Sequence, residues 1–258
     1  MTVESTSAAY RPVPKPSSPR WARASLGLSI LAWATLIQLI VGLVSTAILA
    51  HAQAMMWSGG FARMRVEMSV AFGMKGLSQL LVGLASIYGA YCFAQIPRSS
   101  GATGRARVAV VVSLLSVLWV ILGTLANVYV ARRIGHGSYR SAFLALGETA
   151  VRSVLGGTFV GVMVAAIKRA MASIGAASPR YLQAFVIVVV TGLILSPLVS
   201  GFDALVNASR APVARWGLYG FESMAHIAII GYWIHALRTA SRAIGGVSLP
   251  EEEASPTL

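Results

Sequence analysis

Charge is scarce in this sequence, and acidic charge is the scarcest. Charged side chains make up 11% of the 258 residues, and only 8 residues are Asp or Glu. A soluble domain of this length has roughly a quarter of its residues charged. The single cysteine, Cys92, excludes an intrachain disulfide. The chain also lacks the HExxH and CxxC patterns of many metal sites and the GxSxG nucleophile elbow. We therefore predict no metal, no cofactor and no covalent catalysis.

Long apolar runs fill most of the remaining sequence. Hydrophobic residues make up 56% of the chain, and the mean hydropathy is +0.72. Six runs approach the roughly 20 residues that a helix needs to cross a bilayer. They cover residues 25–50, 77–96, 107–131, 151–168, 182–206 and 218–237. The sequence predicts an all-α integral membrane protein, a six-span helical bundle in the cell membrane.

The basic residues are spread between the apolar runs, so they favour a membrane over nucleic acid. The net charge is +13, but Lys and Arg stand in groups of one to three, which is typical of charge flanking membrane spans. We expect contact with the lipid bilayer, including anionic lipids. With six spans both termini share a side, and that side carries 12 of the 21 Lys and Arg residues against 9 opposite. This bias predicts cytoplasmic termini.

Polar sequence at both ends predicts tails around one membrane domain. Residues 1–24 are basic and rich in Pro and Ser, and residues 244–258 contain an acidic cluster. Segments this poor in apolar residues do not bury enough surface to order themselves. We predict disordered tails at 1–24 and 244–258, with the six-helix transmembrane domain at 25–243.

Faint internal similarity suggests three repeated helical hairpins. The odd runs align as VGLVSTAIL, LGTLANVYV and SGFDALVNA, and the even runs as AFGMKGLSQLLVG, ALGETAVRSVLGG and LYGFESMAHIAII. Each set shares a glycine column, and in this register Glu222 aligns with Lys75 and His226 with Gln79. Packed repeats around a pseudo-threefold axis would explain the pattern. Chance alignment in a chain with 25 glycines explains it as well, and both interpretations stay open.

The last apolar run contains the ionisable residues whose transfer into a bilayer would cost the most free energy. Glu222 and His226 are four residues apart, so they share one helical face. His235 is nine residues beyond His226, which puts it on the opposite face, so the two histidines cannot bind one metal ion. Asp203 lies at comparable depth on the preceding run. We predict that Asp203, Glu222 and His226 form a polar relay that handles a proton or cation, or else hold helices together.

Three further charges belong to the predicted outer half: Lys75, Glu148 and Arg152. The order of Glu148 and Arg152, four residues apart, suits an ion pair within one helix. An acid followed at this spacing by arginine is similar to one motif of the intramembrane CAAX-protease-like family. Gly147 stands where the second acid of that motif would be, so no family is assigned. We treat these charges as secondary polar residues.

Small residues at helical spacing predict a close-packed seam between two spans. Gly157 and Gly161 are four apart, as are Gly192, Ser196 and Ser200 in turn. Such spacing lets two helix backbones approach each other in a membrane. It accounts for these residues without any binding role.

Three functions remain open on the sequence. The first is a transporter-like protein for a small solute or ion, with proton coupling through the relay as an option. The second is a non-catalytic accessory, assembly or regulatory subunit with a membrane-protein partner or a second copy of itself. The third is an intramembrane hydrolase, which the missing motifs disfavour. Substrate and partner are not specified by any motif.

Overall fold

The computed structural model describes residues 18–56, 61–133, 139–178, 182 and 212–246. Five long helices and one 3-10 turn, Arg98–Ser100, make up the regular structure of these segments, which include no strand. The helices are α1 Pro19–Met56, α2 Phe61–Phe93, α3 Thr103–Arg133, α4 Tyr139–Ser173 and α5 Pro212–Gly245. The predicted all-helical class is therefore confirmed for the described chain.

Four of the helices that the structure describes contain segments that are long and apolar enough to cross a membrane. The segments are Pro19–Ala52, Val66–Phe93, Thr103–Ala126 and Ala150–Ser173. Only 11% of the apolar window in α2 is buried within the protein. Leaving that much apolar surface in water would cost about 25 cal/mol for each Å², whereas lipid solvates it. These helices support the prediction of a membrane protein.

The helices differ from the predicted runs mainly where they begin. α1 begins at Pro19, six residues before the predicted span, because proline is pre-organised for the first position of a helix. α2 begins at Phe61, well before the predicted start at residue 77. Lys75 therefore lies inside a membrane-crossing segment instead of flanking it. The fifth run, 182–206, lies outside the described residues except for Leu182, so the six-span count and the threefold repeat stay predictions.

Most of the buried apolar side chains lie at one end of the bundle. We call this the proximal end: α1 and α3 begin there, and α2, α4 and α5 end there. The other half is the distal half. The largest fully buried side chains of the proximal end are Leu28, Phe93, Met163, Ile167, Met171, Leu182, Leu237 and Ile244. They form one continuous core with smaller alanines between them.

Helix order around the bundle follows the chain. α1 packs between α2 and α5, α3 packs between α2 and α4, and α4 touches α5 more lightly. At the proximal end α1 and α2 approach so closely that there is no room for a side chain at Gly27 of α1 or Gly89 of α2. A Cβ at Gly27 would press on the carbonyl oxygen of Gly89 and lie 2.8 Å from the nitrogen of Phe93. Glycine at this crossing is what lets the two backbones meet.

Serine side chains join α1 to α5 at the same end. Ser25 Oγ lies 2.8 Å from the carbonyl oxygen of Ser241 and donates to it, and Ser29 Oγ lies 2.8 Å from Ser241 Oγ. Ser241 Oγ in turn donates to the carbonyl oxygen of Ser25 over 2.9 Å. Hydrogen bonds between helices compensate for removing these hydroxyls from water. They close the proximal end on the side opposite the glycine crossing.

A polar cavity between α1, α2 and α5

A polar cavity opens between α1, α2 and α5 in the distal half. Its volume is about 260 Å³. Polar side chains come from two helices: Gln38, Ser45 and Thr46 from α1, and Lys75, Ser78 and Gln79 from α2. Apolar groups complete the lining, among them Leu39 and Leu43 of α1 and Ile230 of α5. Polar side chains thus face each other within segments otherwise suited to lipid.

Helical periodicity explains how each helix presents a polar stripe. On α1 the lining residues recur at 38, 42, 45–46 and 49, and on α2 at 75 and 78–79. Steps of three or four residues bring side chains to one face of a helix. On α2 the neighbouring leucines lie on the outer face. Leu77 and Leu81, for example, are 61% and 57% exposed toward the surroundings of the bundle.

The hydroxyls of the cavity bond within their own helices and do not bridge it. Ser45 Oγ donates to the carbonyl oxygen of Val41 over 2.7 Å, and Thr46 Oγ1 donates to that of Gly42 over 2.9 Å. Ser78 Oγ donates to the carbonyl oxygen of Lys75 over 3.0 Å. Each donor is satisfied, but each oxygen keeps acceptor capacity for a molecule in the cavity. These hydroxyls do not hold helices together.

Lys75 brings a positive charge to the cavity. Glu67 is the one carboxylate whose side chain the structure describes. It pairs with His51 and Arg63 and not with Lys75. Ionisable residues inside membrane segments are rare, and they mark solute or ion pathways more often than structural contacts. A cavity of about 260 Å³ has room for roughly nine water molecules. It suits an ion or a very small solute.

The described lining offers binding groups but no catalytic pair. It contains amides, hydroxyls and one ammonium group, without His, Cys, Asp or Glu. Within the residues that the structure describes, no three His, Cys, Asp or Glu side chains cluster as a metal site would require. The arrangement can hold a polar or anionic ligand by charge-assisted hydrogen bonds.

The structure places some of the predicted site residues and leaves others outside its description. Lys75 lines the cavity. Arg152 is partly buried on α4, a helix that contributes nothing to the described lining. Glu148 lies on the same helix, and Glu222 and His226 lie on α5, but the side chains of all three are outside the described residues.

Asp203 of the relay and Gly192, Ser196 and Ser200 of the seam also lie outside the described residues. Gly157 and Gly161 lie on α4 with intermediate exposure. A Cβ at Gly161 would meet no atom within 4 Å. The seam therefore stays a prediction.

Most of the cavity, and the crossing of α1 and α2 at Gly27 and Gly89, were not predicted from the sequence. The signal for the cavity was present: Lys75, Ser78 and Gln79 recur at helical spacing on α2. A small residue four before Gly89, Ala85, marks the α2 side of the crossing in the same way. Neither pattern reveals its partner helix, so neither could be assembled from the sequence.

A smaller polar cluster joins α1 and α2 at their distal ends. His51 Nδ1 lies 2.8 Å from Glu67 Oε2, and Arg63 Nε donates to Glu67 Oε1 over 3.1 Å. His51 and Arg63 are exposed. The cluster ties the ends of this hairpin beyond the cavity.

Comparison with known proteins adds no relative to this picture. No family model, no curated protein and no solved structure matches the chain. The function is therefore inferred from the cavity.

Proposed function

We infer that this protein is a transporter-like membrane protein that binds a small anion, or a small solute bearing a carboxylate, in the cavity between α1, α2 and α5. The observation that carries the proposal is Lys75: a cation inside a membrane-crossing segment, facing a cavity with polar side chains on both walls.

The polar relay extends this proposal along α5. Ile230 lines the cavity, and His226 and Glu222 precede it by four and eight residues. Those steps continue one stripe of the helix toward the distal side. Histidine titrates near neutral pH, so the relay of Asp203, Glu222 and His226 that the sequence predicts would move protons. We propose proton coupling on this basis.

The two ends of the bundle suit unequal roles in such a cycle. The continuous core lies at the proximal end, and a solute would cross the bundle only when the helices separate there. We propose that the proximal end faces the cytoplasm with both termini.

Lys75→Met tests the proposal. Losing a charged hydrogen-bond donor costs about 1.5–3 kcal/mol of binding, so the affinity for small anions should fall about 10- to 100-fold. Purified protein would be screened by ligand-induced rise in melting temperature with chloride, nitrate, phosphate, acetate and lactate, followed by uptake into proteoliposomes. Lys75→Arg should recover part of the binding.

Lys168→Met is the matched control, because Lys168 lies on α4 outside the described cavity lining. It should leave anion binding unchanged. Equal anion binding in wild type and Lys75→Met would overturn the proposal. Glu222→Gln and Asp203→Asn should abolish acceleration of uptake by a pH gradient at unchanged abundance. A fall in abundance or melting temperature instead would favour the accessory-subunit alternative.

A further inference from the structure

A second, larger recess lies at the proximal end, outside the cavity and independent of the proposed transport. It is formed by the start of α1, the end of α2 with the following turn, and the start of α3, and its volume is about 660 Å³. Four arginines line it: Arg20, Arg23, Arg98 and Arg107. We call this recess the arginine groove.

The groove carries positive charge that the described protein does not neutralise. Arg23 Nη1 donates to Gln95 Oε1 over 3.0 Å, a neutral partner. No ion pair of the described residues involves any of the four arginines. Between residues 5 and 250 the acids are Glu67, Glu148, Asp203 and Glu222, and Glu67 is at the opposite end of α2. All four arginines are exposed, so the cluster is open to an external anion.

Helix direction adds to this imbalance. Arg20 and Arg23 stand in the first turns of α1, and Arg107 stands in the second turn of α3. The N-terminus of a helix carries partial positive charge, and a cation there is unfavourable by about 0.3–1 kcal/mol at an exposed site. Flanking arginines that only set membrane orientation have no need to converge on one recess. An anion bound between the starts of α1 and α3 would reduce the repulsion among the arginines. It would also offset the unfavourable position of these cations at helix N-termini.

The lining also has apolar residues that lie at the level of the membrane. Tyr91 and Val111 are each 54% exposed, and Val110 lies beside them. These residues belong to the membrane-crossing segments of α2 and α3. The recess therefore has a cationic part at the end of the helices and an apolar part that continues into the lipid. A soluble anion would use only the first part.

We propose that the arginine groove is a binding site for an anionic phospholipid whose head group carries two phosphates. Each guanidinium group can form two parallel hydrogen bonds to phosphate oxygens. A head group with two phosphates offers enough oxygen acceptors for four arginines. The acyl chains lie along Tyr91, Val110 and Val111. Basic recesses between membrane helices are suited to such lipids.

The acidic residues Glu251–Glu253 are the other candidate occupant, because α5 ends at the proximal end beside Ser25. A carboxylate segment would satisfy the arginines but leave the apolar part of the groove empty. The lipid uses both parts, and for that reason we assign the groove to it.

The test is lipid titration of the purified full-length protein, with bound lipid counted by native mass spectrometry. Cardiolipin should bind at least tenfold more tightly than phosphatidylglycerol, and phosphatidylcholine should not compete. Replacing all four groove arginines with glutamine should weaken cardiolipin binding at least tenfold. Arg105→Gln and Arg169→Gln are matched controls, because both residues are exposed at the proximal end outside the described groove lining, and they should change it less than twofold.

Two further variants keep the proposal falsifiable if the fourfold variant does not fold. Arg98→Lys and Arg107→Lys retain the charge but lose paired hydrogen bonding, so each should weaken cardiolipin binding severalfold. Equal losses in groove and control variants would overturn the proposal in favour of diffuse surface charge. Inorganic pyrophosphate binding as tightly as cardiolipin would overturn it in favour of a soluble phosphate ligand. Cardiolipin binding that emerges only after replacing Glu251–Glu253 with glutamine would assign the groove to the tail.

Discussion

Three serines at the proximal end and two serines in the distal half use their hydroxyls in opposite ways. Ser25, Ser29 and Ser241 bond between α1 and α5, whereas Ser45 and Ser78 bond back to their own helices. The difference follows from how closely the helices approach. Where backbones meet, a hydroxyl reaches the neighbouring helix, and where they separate, its own helix carbonyl is the nearest acceptor.

In this bundle the interactions that stabilise helix packing and the space that can bind a ligand lie in different regions. Lipid is as apolar as leucine, so packing and hydrogen bonds between helices, not apolar burial, hold helices together. The proximal end has both. The distal half keeps a polar cavity, and its hydroxyls contribute little to helix association. Stability and binding are therefore separable by mutation.

Gly27→Ala should have the largest effect, because it pushes α1 away from α2 at their closest crossing. Overpacking of this kind costs about 1–3 kcal/mol, and here the clashing atoms belong to backbone, which cannot rotate away. Thermal unfolding in detergent measures the loss. Gly73→Ala on α2 is the control, since a Cβ at Gly73 meets nothing within 4 Å. If both variants melt at the wild-type temperature, the crossing does not hold the proximal end.

Ser241→Ala should have an intermediate effect. It removes the hydroxyl shared by Ser25 and Ser29, and interhelical hydrogen bonds in membranes contribute about 0.6 kcal/mol each, with a maximum near 1.7. We expect a loss of about 1 kcal/mol in the free energy of unfolding. Ser45→Ala, which removes a bond within one helix, should change that free energy by less than half as much. Equal losses from the two substitutions would contradict the contrast between the two regions.

Glu67→Gln should have the smallest effect on stability, although it breaks two ion pairs. Both partners, His51 and Arg63, are exposed, and water and salt screen such pairs. Its melting temperature should fall less than that of Ser241→Ala, and the difference from wild type should vanish in 1 M salt. A larger loss that persists at high salt would mean that the distal hairpin contributes as much stability as the proximal end.

The sequence predicted the class of the protein better than its site. The apolar runs at 25–50, 107–131 and 151–168 correspond to crossing segments whose boundaries differ from them by one to six residues. The run at 77–96 began too late, because Lys75 was interpreted as a flanking charge. Lys75 is exposed and lines the same cavity as Gln38 and Ser45 of another helix. No local pattern reveals that environment.

Composition and the length of apolar runs alone determined that this chain forms long helices suited to lipid, because both properties act through local hydrogen bonding and solvation. The spacing of Glu222 and His226 likewise determined a shared helical face. The two recesses were decided by the tertiary structure. The polar cavity joins residues 38 and 75, and the arginine groove joins residues 20 and 107. Each pairing depends on which helices pack together and how closely, and glycine at the crossing of α1 and α2 sets that distance.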